Sequence, residues 1–178
     1  MALSLVEVKH DIMKTITNTS VDRVEIGAMK ILYKLLGILD NIVLKKSVGK
    51  FVVFHRPNDW KVIEEVLVKH GYPHPDGMVV DVGGHIGCYS LLASKTSNRI
   101  VSIEPSKASY KLLVKNIAEN NLGRKVETMN LALGSRPGFV RLFKGTIPGG
   151  NSTDVDFGLG SEEVAMTTLD KVCSKIST

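Results

Sequence analysis

The chain has 178 residues, 43% of them apolar, 23% charged and 6% aromatic, a globular composition that excludes collagen-like, low-complexity and wholly disordered chains. No stretch reaches the roughly 18–20 uninterrupted apolar residues of a membrane span, because the most apolar region, 24–44, is broken by Glu25, Lys30, Lys34 and Asp40. The net charge of +5 is spread along the chain with no basic run longer than two, so a nucleic-acid partner is permitted but not indicated.

Residues 1–45 read as helical. Val24, Met29, Ile31, Leu32, Leu35, Leu36, Leu39, Ile42 and Val43 recur at steps of three and four, which marks one apolar face. A domain boundary is placed at residue 49, between this extension and a domain over 50–178. Lys50–His55 is a short β-rich run closed by Arg56-Pro57-Asn58-Asp59. Asn58 or Asp59 then caps a helix with Trp60, Val62, Ile63, Val66 and Leu67 inward, ended by Gly71. From Met78 the pattern alternates. Met78–Val82 reads as a buried strand, the stretch to about Thr96 as a helix, and Arg99–Ile103 as a second strand. An amphipathic helix over Ser106–Asn120, with Leu112, Leu113, Ile117 and Ala118 inward, leads to a third strand over Lys125–Leu133. Apolar strands alternating with helices predict an α/β fold with a parallel sheet. Phe139–Phe143 reads as an edge strand, 145–161 as a Gly-rich loop, Glu163–Thr168 as a last strand and Leu169 onward as a helix.

Cys88 and Cys173 have neither disulfide nor metal spacing, and the five histidines form no HExxH, so no metal site is expected. No basic–apolar–small leader opens the sequence either, and a soluble cytoplasmic protein is expected.

One segment carries chemistry: Val79-Val80-Asp81-Val82-Gly83-Gly84-His85-Ile86-Gly87. It leaves a buried strand, turns on glycines and enters a helix, at the carboxyl end of a parallel strand where open α/β sheets bind ligands. A dinucleotide fingerprint needs G-x-G-x-x-G, but Val82 stands at the first glycine and Asp81 would oppose a pyrophosphate. S-adenosylmethionine, with its ammonium and sulfonium charges, suits an acid there. Ile100-Val101-Ser102-Ile103-Glu104-Pro105 ends in a second acid, 17 residues after Gly87, placed to accept both ribose hydroxyls of an adenosine cofactor. The competing reading is that Glu104 only caps the following helix.

The blocks VVDVGGHIGCYSLLAS, IVSIEPSKASYKLLVKNIAENNL, VETMNLALGS and VAMTTLDKV, with HRPNDWKVIEEVL upstream, resemble the FkbM family of S-adenosylmethionine-dependent methyltransferases over about residues 50–172. The resemblance implies a class I methyltransferase-like, Rossmann-like fold and O-methylation of a sugar or small-molecule hydroxyl. It implies that Asp81, Gly83, Gly84 and Gly87 hold the methionine part, Glu104 the ribose and Asn130 the adenine end. His85 stands in the cofactor turn where the family commonly has Asn, either as a proton-handling group or as a solvated side chain. The family continues beyond TTLD with a further strand, so either the sequence is a fragment, or a partner or second copy completes the sheet, or the late segments fill the gap. Without that strand, Met78–Val82 would be an open edge that invites pairing with another chain, such as a second copy. No catalytic base is named. The rival functions are a non-catalytic cofactor-binding or assembly protein of the same fold, a nicotinamide-dependent oxidoreductase and an RNA methyltransferase.

Overall fold

The computed structural model describes residues 42–69, 71–145 and 150–176. The helical reading of 1–41 lies outside them, and its last residues are corrected: Leu44 and Lys45 belong to a strand. β1 (Leu44–Val48) and β2 (Phe51–His55) form an antiparallel hairpin with Val48 opposite Phe51. Gly49, at φ +55, opens its two-residue turn, a place where a side chain would be strained. The proposed boundary at residue 49 falls inside this hairpin.

A 3₁₀ turn (Pro57–Asp59) leads into α1 (Trp60–Ile63), which continues as a π-helical turn over Glu64–Val68. Asp59 stands at the expected N-cap of α1. The Asp59 side chain makes no capping bond to α1; it turns back to accept from the Arg56 backbone and guanidinium.

The central layer is a parallel sheet in the order β3 (Met78–Val82), β4 (Arg99–Ile103), β5 (Val126–Met129). Its crossovers are α2 (Cys88–Ala93) and α3 (Lys107–Glu119). Right-handed crossovers that advance in one direction put both helices on one face. There Leu91, Leu92, Leu112, Leu113 and Ile117 pack on Val79, Ile100 and Val126, with Ile63, Val66 and Leu67 completing the core. The opposite face carries Val101 and Ile103 and is covered by Val172 of α4 (Leu169–Ile176). With both faces covered, β4 is buried along all but its first residue, the reason its buried positions are apolar except for Ser102, which bonds Asp81. Among the described residues β3 pairs with β4 alone.

Two sequence readings give way here. Ala118 is exposed, and the inward position beside Ile117 belongs to Asn116, which is 0% exposed. Asn116 Oδ1 accepts from Phe54 N (2.6 Å), and its Nδ2 donates to Phe54 O (3.0 Å) and Ile86 O (2.7 Å). Asn120 repeats the pattern on Val52 N and O (2.9 and 2.7 Å). Two amides thus satisfy the open edge of β2, which α3 could not do with apolar side chains. Second, Lys125–Leu133 is not one strand. β5 ends at Met129, and Asn130 donates to Glu104 O and Pro105 O. The chain then enters β6 (Ala132–Leu133) of a second sheet, in the order β6, β8 (Ser161–Thr167), β7 (Gly138–Phe143). In that sheet β7 is an edge, as its alternation indicates.

Candidate functional site

The segment from Asp81 to Gly87 makes the turn that the sequence places between strand and helix. Gly83 N and Gly84 N both donate to Ile103 O (2.9 Å each), so the turn is tied to the tip of β4. Gly87 N donates to Gly84 O (2.7 Å) and closes the turn at the start of α2. The glycines serve different ends. Beside Gly83, at φ +81, an added Cβ would meet no atom within 4 Å. At Gly84 it would collide with Ser102 Oγ, and at Gly87 (φ +90) it would stand 2.7 Å from Leu113 Cδ1. Gly84 and Gly87 are packing glycines; Gly83 alone fronts open space.

Behind the turn lie two buried carboxylates. Asp81 Oδ2 accepts from Ser90 Oγ of α2 (2.6 Å) and Ser102 Oγ of β4 (3.1 Å). Burial pushes its pKa up, against the lowering effect of the two serines. Glu104, 6% exposed, follows the last residue of β4. Its Oε2 accepts from His85 N and its Oε1 from Ser106 N, both at 2.8 Å. Burial raises its pKa too, opposed by those backbone donors and by Arg56. Ser106 stands at the N-cap of α3 without a side-chain capping bond. Glu104 therefore does bond the first N–H of that cap, but it also bridges to the glycine turn, and each oxygen retains a second lone pair.

A cleft of about 410 Å³ opens at the carboxyl ends of β3 and β4, within the roughly 300–1,000 Å³ typical of small-molecule sites. Val82, Gly83, Ile103 and Pro105 form one wall, and Leu131, Ala132, Leu133 and Leu142 another. Asn151, Ser152, Thr153 and Asp154 close the rim. From sequence, 150–154 falls within the Gly-rich loop over 145–161. Its part in the cleft arises because β7 and β8 fold back beside β6, and local pattern does not report such a pairing.

The predicted residues are thus partly assembled. Gly83 lines the cleft, Asp81 and Glu104 lie directly behind it, and Gly84 and Gly87 shape the turn. Asn130 is a strut between the end of β5 and the Glu104–Pro105 corner. His85 is 8% exposed and its ring lies with Arg56 and Asp59, so the solvated-side-chain alternative does not hold. Among the described residues no group of three His, Cys, Asp or Glu side chains could hold a metal, and no helix is long and apolar enough to cross a membrane. Neither cysteine is in a disulfide.

These features define a Rossmann-like α/β fold with a ligand cleft at the ends of its parallel strands. No protein-family model matches the chain, and no curated protein is significantly similar to it. Solved structures resemble it in part. P. horikoshii TYW2 in complex with MeSAdo is 22% identical, at a TM-score of 0.39 over 51% of this chain and 36% of that one. M. jannaschii tRNA m1G37 methyltransferase is 17% identical, at 0.37 over 54% and 34%. PRMT6 with SAH is 21% identical, at 0.32 over 42% and 22%. The chain spans about a third or less of the length of these proteins.

Proposed function

We propose that the chain is an S-adenosylmethionine-dependent methyltransferase of the FkbM type, acting in the cytoplasm on the hydroxyl of a sugar or other small molecule. The observation that supports it is the cleft itself, with an open glycine on one side and two buried carboxylates behind the strand tips. The fit is local and chemical. Gly83 leaves room for a ligand against the backbone. Ile103, Pro105, Leu131 and Leu133 offer apolar surface for a flat base. Glu104 has lone pairs for ribose hydroxyls, while Asp81 supplies negative potential for a cationic methionine end and Asn130 fixes the strand tip at the adenine end. Bound there, S-adenosylmethionine supplies an electrophilic methyl group for in-line transfer to an acceptor oxygen. The protein's own work is to align it and exclude water, and no general base is assigned among the described residues.

A second reading, a domain of this fold that binds no methyl donor, draws on one observation. The N–H groups of Gly83, Gly84, His85 and Gly87 are all bonded internally. Calorimetric titration with S-adenosylhomocysteine separates the two. Binding in the micromolar range that Glu104→Ala abolishes supports the enzyme, and a folded chain that takes up no ligand overturns it. With a binding chain in hand, an RNA acceptor would announce itself by an RNA affinity that falls steeply with salt.

A further inference from the structure

His85 has a left-handed backbone, φ +51, which a non-glycine residue adopts at a cost and which calls for a reason. In this conformation its N–H points at Glu104 Oε2, 2.8 Å away. The ring is fixed from the other side. Arg56 Nη2 has two hydrogens, and these go to Asp59 Oδ1 (3.1 Å) and Ser109 Oγ (3.0 Å). The same Nη2 lies 3.2 Å from His85 Nε2, close enough to share a hydrogen with it. Asp59 Oδ1 stands 3.4 Å from that nitrogen. Nδ1 is buried with no partner among the described residues. Burial and Arg56 favour the neutral ring, against the pull of Asp59. Asp59 is itself wholly buried and held by Arg56 N and Nε at 2.8 and 2.9 Å, so the anchor is rigid.

We propose that His85 is a positioning residue for Glu104: its ring, held between Arg56 and Asp59, keeps residue 85 in the conformation that aims its N–H at the Glu104 carboxylate. This presents the carboxylate to the ribose, and so rests on the methyl-donor reading. The His85 ring is turned to Arg56 and Asp59, so the residue acts on the ligand through Glu104.

The test combines S-adenosylhomocysteine titrations with the amide proton shift of residue 85 followed by NMR as Glu104 titrates. In the wild type that amide follows Glu104, and in Glu104→Gln the response is absent. His85→Ala, forced out of the left-handed region, loses the amide response and binds about tenfold more weakly. His85→Asn, which accepts that region, recovers the response and binds within about threefold of wild type. Wild-type affinity in a folded His85→Ala variant overturns the proposal, as does a wild-type amide indifferent to Glu104. A folded wild type that binds no S-adenosylhomocysteine, yet keeps the amide response, overturns the methyl-donor reading and the ribose role with it. The intact amide signal tells that failure from the other two.

Discussion

Gly84 is a glycine because of Ser102, and this can be tested by replacing both. Its φ is not in the left-handed region, so alanine carries no backbone strain there. The added Cβ would collide with Ser102 Oγ, while its distances to Ser102 Cβ (3.5 Å) and Asp81 Oδ2 (3.4 Å) are ordinary contacts. Two relaxations are open to Gly84→Ala. Either the sheet yields, at about 1–3 kcal/mol for overpacking, or the Ser102 hydroxyl rotates off Asp81 and gives up a charge-assisted bond worth about 1.5–3 kcal/mol. Both give a loss near 2 kcal/mol. Ser102→Ala removes the colliding atom and leaves Ser90 on Asp81, so on that background Gly84→Ala should cost under about 0.5 kcal/mol. Urea unfolding followed by the fluorescence of Trp60, the single tryptophan, measures the four corners of the cycle. Equal costs of Gly84→Ala in both backgrounds would refute the packing argument.

Asn116→Ala orphans Phe54 N–H, Phe54 O and Ile86 O, and at about 1–3 kcal/mol per buried group it should destabilise the fold by about 3 kcal/mol. Asn120→Ala, at a half-buried site, should cost clearly less, and the same unfolding assay ranks the two. Because burial raises the Asp81 and Glu104 carboxyls above their ordinary range, each binds its proton more tightly folded than unfolded. That contribution is complete below the unfolded pKa and is lost as pH rises through the folded one. The stability of Asp81→Asn relative to wild type should therefore improve from pH 4 toward pH 7, and a flat difference would contradict the burial cause. Burial also pushes the Cys88 thiol up to about 12, so at pH 8 iodoacetamide should label Cys88 at the rate of unfolding rather than of a free thiol.

The sequence made the β3–α2–β4–α3 unit legible because each element there has a local cause. Val79 and Ile100 sit in short β-rich apolar segments, and Gly83 and Gly87 punctuate the one turn. Ser106 and Asn120 bracket α3, as read. What sequence could not reveal was pairing at a distance. Nothing near Asn116 announces that its amide answers Phe54, 62 residues upstream, so helical periodicity placed Ala118 inward instead. Lys125–Leu133 reads as one strand because the chain changes partner, from β4 to β8, without changing its β character. Asp81 and Glu104 were legible as acids at strand tips. That His85 turns inward to Asp59 was not, since residues 55–59 read only as a strand end and a cap.

The two asparagines of α3 also set a limit on how far a helix can stand in for a strand. Residues four apart on a helix are separated by about 6.0 Å along its axis, and residues two apart on a strand by about 6.6–6.8 Å. Asn116 and Asn120 meet Phe54 and Val52 in that antiparallel order. The two rulers drift by under 1 Å at each step, within the tolerance of one amide bond but not of several. The hairpin is thereby clipped to the helix at two points and at a single register, since sliding by one residue would set both amides against side chains. A third such amide, one helical step further, would miss its partner, so the helix can act as a neighbouring strand only from Asn116 to Asn120.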